Sequence, residues 1–206
     1  KSKVGIHAMI TSGKYPMYLI DPYTKDKKTA IGYFKNKVSK SNFDCLVEEN
    51  VTRVQQRTFQ KTANANDGKL RTYKMALIGT AEYSQFHLTN QSVGAGETDE
   101  TKKAAVLSAM NVSMTRINGV FERDLGVTMQ LVSNNDDLIF LDTATDGLTN
   151  GDISTLLNES QTKCDAVIGN ANYDIGHVFA WVDDDSGNGL AGGGVVCLTG
   201  QKAQGA

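Results

Sequence analysis

The chain has 206 residues, 40% of them hydrophobic and 21% charged, with a formal net charge of −2. That length suits one domain with a sizeable core, or one domain and an appendage, and the balance excludes a disordered chain. The lack of a long basic run excludes a nucleic-acid footprint, and no apolar stretch approaches the ~20 residues that a membrane helix needs.

The sequence begins at Lys1 without an initiator Met or a signal peptide, and it stops at Ala206 without a capping element. Both ends read as cut from a longer protein. Three cysteines, Cys45, Cys164 and Cys197, allow at most one internal disulfide and leave an odd thiol.

In chain order, residues 4–10 and 15–20 are β-like runs joined by Thr11-Ser12-Gly13-Lys14, the pattern of a hairpin, with Asp21-Pro22 ending the second run. Residues 31–38 and 43–47 offer two more strands. A segment of this size cannot bury a core alone, so it leans on another part of the chain. Residues 50–69 are poor in large apolar side chains and contain Thr62-Ala63-Asn64-Ala65-Asn66-Asp67-Gly68, which marks a connector.

Residues 73–80 form a short apolar run bounded by Gly79, as a buried strand would. A polar loop through Gly94 and Gly96 is expected next. Glu97, Asp99 and Glu100 then place negative charge where a helix begins, and Leu107, Met110, Met114, Ile117 and Phe121 recur on one face. Gly126 suits the position just past that helix. Val127, Met129 and Leu131 alternate with polar residues, as in a half-buried strand. Residues 138–141 are another short apolar run. Ile153, Leu156 and Leu157 predict a second helix ending near Cys164, followed by a strand at 166–168. Residues 178–181 and 190–197 complete the series. The alternation of strands and helices points to an α/β fold with a twisted mixed sheet and two main helices.

Catalytic motifs are scarce. His7, His87 and His177 are isolated, none has a His or Cys three or four residues away, and no His-Glu-x-x-His occurs. Each reads as a structural histidine. Gly187-Asn188-Gly189-Leu190-Ala191-Gly192 matches the dinucleotide fingerprint formally, but an acidic loop precedes it and no helix follows, so its glycines read as a close backbone approach. Asp183, Asp184 and Asp185 read as a solvated turn rather than a calcium loop. Neither Cys164 nor Cys197 has a neighbouring His to activate it.

Several strings together resemble the bacterial reprolysin-like (adamalysin-like) branch of the metzincin zinc peptidases. They are Arg71-Thr72-Tyr73-Lys74-Met75-Ala76-Leu77, Glu82-Tyr83-Ser84-Gln85-Phe86-His87, the stretch from Met114 to Leu125, Asp165-Ala166-Val167-Ile168-Gly169, the stretch from Asn172 to Phe179, and the stretch from Gly189 to Cys197. The resemblance spans residues 70–206 and implies the N-terminal half of a metzincin catalytic domain, its upper subdomain. Residues 1–49 look similar to the end of a propeptide, with 50–69 as the connector.

The resemblance implies a secreted zinc-dependent endopeptidase, acting through a zinc-activated water in the complete protein and taking peptide or protein substrates. A noncatalytic peptide- or protein-binding module that keeps the metzincin sheet is the alternative. An edge strand made of Leu190, Ala191, Gly192, Gly193, Gly194 and Val195 would accept substrate backbone by strand addition. The zinc helix of the family has no counterpart in this sequence, so no metal ligand and no catalytic residue carries over, and zinc belongs to the complete enzyme only. Cys45 would be a latency cysteine in the propeptide, or else a buried apolar cysteine in a strand. Cys164 and Cys197 would be the disulfide partners if one forms, because both fall in the catalytic half. Cys197 pairing with a cysteine outside this sequence is the competing arrangement.

Overall fold

The structure is a computed structural model that describes residues 4–37, 67–181 and 189–206. Its centre is the strand Arg71–Gly79, which is β4 in chain order, after three N-terminal strands. Its stretch Met75-Ala76-Leu77-Ile78 is buried on both faces. Side chains alternate along a strand. Met75 and Leu77 therefore enter one core, with Val106, Met110 and Met114. Ala76 and Ile78 enter a second core on the opposite face, with Leu156, Cys164 and Tyr173. A parallel strand covered by helices on both faces has no wet side, which is why the run carries no polar break.

The flanking strands β5 (Val127–Leu131) and β6 (Ile175–Phe179) both run parallel to β4, in the order β5-β4-β6. They are staggered. β5 pairs with Arg71 to Met75, whereas β6 pairs with Met75 to Gly79. On the β5 side, Leu77 is thus left without a strand partner in the middle of the core. The buried side chain of Asn135 fills the gap: its Oδ1 accepts the Leu77 N–H at 2.8 Å and its Nδ2 donates to the Leu77 carbonyl at 2.9 Å. One primary amide does the work of a missing strand residue.

Three helices cover the sheet: α1 (Ala81–Asn90), α2 (Asp99–Leu125) and α3 (Ile153–Val167). The start and stop of α2 follow the sequence signals. Thr98 caps it by accepting from the Thr101 N–H, and Gly126 closes it at φ 62 with its N–H on the carbonyls of Glu122 and Phe121. Asn118 on α2 brackets the outer edge of β5, accepting the Met129 N–H at 2.9 Å and donating to the Met129 carbonyl at 2.7 Å.

The α/β class read from the sequence is present, as two sheets and three helices. Several elements differ. The loop expected before Gly94 contains α1, nucleated by Thr80, whose hydroxyl accepts from the Tyr83 N–H. The strand expected at 166–168 is instead the last turn of α3, which ends where Gly169 takes φ 84. Three apolar residues in a row do not distinguish strand from helix. Residues 138–141 hold the end of a 3-10 turn and a single bridge between Ile139 and Gly79. The three named strands of the core sheet are parallel, and the antiparallel bridge between Ala191 and Gly205 at its border makes the whole sheet mixed, as expected.

The N-terminal sheet is antiparallel, β1 (Ala8–Ile10), β2 (Tyr18–Pro22) and β3 (Ala30–Phe34). The hairpin between its first two strands spans residues 11–17, longer than the four-residue link expected. The expected strand at 43–47 and most of the connector lie outside the described residues. None of residues 4–37 is buried, so this sheet has no core of its own.

Two stability measurements follow. Asn135→Ala leaves the Leu77 N–H and C=O buried without partners, and the expected loss is about 2–5 kcal/mol in denaturant unfolding. Asn135→Asp, which keeps the acceptor but not the donor, is expected to lose stability too. His177, on β6, lies against Phe179 and the Gly205 backbone, and burial lowers its pKa to about 4. It stays neutral in the fold but takes up a proton when unfolded. Stability contributed by keeping it neutral is therefore complete above pH ~6.5 and drains away towards pH ~4, by on the order of 3 kcal/mol in total. His177→Gln should flatten most of that decline in denaturant midpoints measured from pH 7 to pH 4. The smaller remainder is expected from His87, whose pKa burial also lowers.

Candidate functional site

Beyond β6 the sheet is extended by two short segments. Residues 202–206 run alongside β6, with the Gly176 N–H on the Lys202 carbonyl at 2.8 Å and the Val178 N–H on the Gly205 carbonyl at 2.9 Å. Outside them, antiparallel, lie residues 190–192. Leu190 and Ala206 exchange both backbone hydrogen bonds at 2.9 Å, and the Gly192 N–H donates to the Gln204 carbonyl at 2.9 Å. Ala191 faces Gly205 across this bridge. Counting across the sheet, the order is β5, β4, β6, 202–206, 190–192.

In an antiparallel pair, the residue between two inward-bonded neighbours turns its own N–H and C=O the other way. Ala191 is that residue. Its backbone groups point away from the sheet, and among the described residues they meet no backbone partner. Leu190 anchors the segment through a buried side chain, while Ala191 is exposed. Such an edge is a template for another chain.

The segment behind the edge is fixed firmly. Lys202 is buried, and its ammonium donates to the carbonyls of Asn170 and Tyr173 and lies 4.3 Å from the centre of the Tyr173 ring. Gln161 on α3 accepts the Ala203 N–H at 2.8 Å and donates to the Tyr173 hydroxyl at 2.9 Å and to Asp165 at 2.8 Å. Burial pushes the Asp165 carboxyl up, but hydrogen bonds from Tyr173, Asn170 and Gln161 outweigh it and hold the group below the usual carboxylate range. Burial, then the hydrogen bond to Asp165, raises the Tyr173 phenol, which stays a neutral donor. Gln161, Tyr173 and Lys202 were not singled out in the sequence. Their spacing carries no motif, because they meet only through the tertiary fold.

Regular pairing stops at Gly192. Gly193, Gly194 and Val195, expected to continue the strand, lie in turns that run to residue 203. Gly194 takes φ 68, which ends an extended backbone, and three successive glycines offer no side chain to hold one. Cys197 also has positive φ, 61, and its N–H is tied to the Asp174 carbonyl at 2.9 Å.

Cys164 is buried in α3 and Cys197 is exposed, and both are free thiols in this structure. Burial pushes the Cys164 thiol up to about 12, and burial followed by the Asp174 charge raises Cys197. Neither has the depressed pKa of a nucleophile. Cys45 and the acidic run 183–185 lie outside the described residues. The three histidines do not converge. His7 bonds Asp21 in the N-terminal sheet, His87 packs on Tyr83 and Phe86 of α1, and His177 sits on β6. Among the described residues no group of three or more His, Cys, Asp and Glu could hold a metal ion. These residues do not fit a zinc ligand set.

The crevice at the carboxyl ends of the parallel strands, where α/β sheets take nucleotides, is filled by the chain itself. The buried Asp146 carboxylate accepts the Ala81 N–H at the start of α1 and the Leu148 N–H, both at 3.1 Å. Asn150 brackets the Trp181 backbone beside it, and Trp181 stacks on Phe86 at 4.2 Å. Among the described residues, that leaves the border at Ala191 as the candidate site the geometry offers.

A search of curated proteins gives no match. Residues 107–206 match the family described as Metallo-peptidase family M12B Reprolysin-like. The matched span starts within α2 and takes in β5, α3, β6 and both border segments. The match supports a reprolysin-like metallopeptidase family for the part of the chain that carries the Ala191 edge.

Proposed function

We propose that residues 70–206 are the peptide-presenting half of a secreted, zinc-dependent endopeptidase of the reprolysin type, and that residues 1–49 are the end of its propeptide. The observation that carries this reading is the conjunction at one border. The part of the chain that matches a peptidase family ends in a sheet edge whose Ala191 N–H and C=O face outward.

In this reading the chain's own task is to hold an extended substrate. A peptide laid antiparallel on residues 190–192 donates to the Ala191 carbonyl and accepts from its N–H, while the small side chain of Ala191 leaves room for it. The Gln161–Tyr173–Lys202 anchorage keeps that line fixed to α3, so little ordering cost falls on the protein side. Zinc and the water it activates belong to ligands that this sequence does not contain. Peptide hydrolysis by the product of the complete reading frame, abolished by a chelator and restored by zinc, is the test. Peptide binding without any hydrolysis in that product would favour a noncatalytic binding module instead.

A sharper measurement concerns the edge alone. The Ala191 N–H makes no bond within the described sheet, so Ala191→Pro removes an outward donor at little cost to folding. Peptide affinity is expected to fall about 5- to 30-fold while the unfolding midpoint changes little. Gly192→Pro deletes an internal bond to Gln204 and should destabilise the fold. Equal effects of the two substitutions on stability, with peptide affinity untouched by Ala191→Pro, would remove the edge from this assignment.

A further inference from the structure

The N-terminal sheet poses a packing question that the peptidase reading does not answer. None of residues 4–37 is buried, among the described residues their strands pair only with one another, and three short strands without a hydrophobic layer are not stable alone. Among the described residues, what holds them is one face of α2. Met9 of β1 sets its methyl group directly over Gly119, so closely that even a Cβ there would collide with it. Three residues earlier on the helix, the Arg116 guanidinium pairs with Asp21 of β2. Asp21 is a hub: it also accepts from His7 Nδ1 at 2.7 Å and from the Tyr33 hydroxyl at 2.5 Å. One carboxylate thereby gathers a residue ahead of β1, β2 itself, β3 and the long helix.

Gly119 is the independent observation. Glycine inside a 27-residue helix weakens it, and nothing within α2 requires glycine there, since it is neither at a cap nor at positive φ. Its reason lies across the interface, in Met9. Residues i and i+3 share a helix face, so Arg116 and Gly119 together form one charged contact and one seat.

We propose that the Arg116–Gly119 face of α2 is a built docking site for the 4–37 unit, and that this unit remains bound as a noncovalent subunit once the segment joining it to residue 67 is cut. The placement has a consequence for the edge. The helix that carries this docking face also packs on β5, with Asn118 on another of its sides bracketing Met129. Residues 190–192 are at the border opposite β5, four strand spacings or roughly 19 Å from that strand. A retained unit and an accessible Ala191 edge are compatible.

The test uses the full chain with a specific protease site placed within residues 38–66, cut at neutral pH and examined by gel filtration and native mass spectrometry at micromolar concentration. The two pieces of the wild-type sequence are expected to stay together one to one. Met9 meets the helix with a flexible tip, so a single added methyl is a weak probe and Gly119→Leu is the strong one. Gly119→Leu should release the N-terminal piece, raising its dissociation constant about tenfold or more, while the remaining piece unfolds no earlier than before, because leucine is the better helix former. Asp21→Asn and Arg116→Ala should release it as well. Separation of the wild-type pieces on cutting would overturn the proposal. So would retention in Gly119→Leu, or an equal loss of fold in the large piece.

Discussion

The stagger of β5 and β6 along β4 places the Leu77 peptide group in the driest part of the molecule with no strand on one side, and the Asn135 amide resolves it. A buried N–H or C=O left unpaired costs more than a typical hydrogen bond contributes, so this register depends on that side chain for much of its stability. The same device recurs. Asn118 brackets Met129 at the β5 border and Asn150 brackets Trp181 beyond β6. At the near end of β4, Asp174 joins both ways to Lys74, its carboxylate accepting the Lys74 N–H at 2.7 Å and its own N–H donating to the Lys74 carbonyl at 2.9 Å. A three-stranded ladder is thus completed by side chains wherever strands run out, and the outer segments 202–206 and 190–192 are added to a frame already closed at its other ends.

What the sequence made legible follows from local physics. The two-sided burial of residues 75–78 and the span of α2 with its Thr98 and Gly126 caps rest on patterns within a single element. α1 was missed because Tyr83, Phe86, His87 and Leu88 make a poor apolar stripe, although Thr80 followed by Ala81 and Glu82 is a capping signal that could have marked it. The strand expected at 166–168 failed because a three-residue apolar run has no period. At the border, the sequence singled out Leu190, Ala191 and Gly192 as edge residues, and these are the ones that pair. It extended the strand too far, because glycine tolerates an edge and a turn equally well. The anchorage by Gln161, Tyr173 and Lys202 was invisible. It joins residues of α3, the start of β6 and the last segment, and no periodicity links them.

The two borders of the sheet are finished in opposite ways. At β5, Asn118 satisfies the outward-facing Met129 groups, and α2 carries the N-terminal sheet on an adjoining face. At 190–192, Ala191 is left with its groups outward and the chain then leaves the sheet in turns. Capping one border hinders it from recruiting a chain, and a border with no backbone partner among the described residues favours pairing there. The asymmetry is consistent with a protein that accepts an extended partner on one side only.

Only one residue of the paired border, Ala191, turns both backbone groups outward, and backbone groups are the same in every amino acid. An incoming chain would therefore be gripped at a single residue, whatever its sequence, and it could shift along the border only in jumps of two residues, since every odd shift would turn its own N–H and C=O away. The border can align a polypeptide and set its direction, but it cannot recognise which polypeptide it is. Discrimination among chains has to come from groups that touch side chains, and those lie off this line.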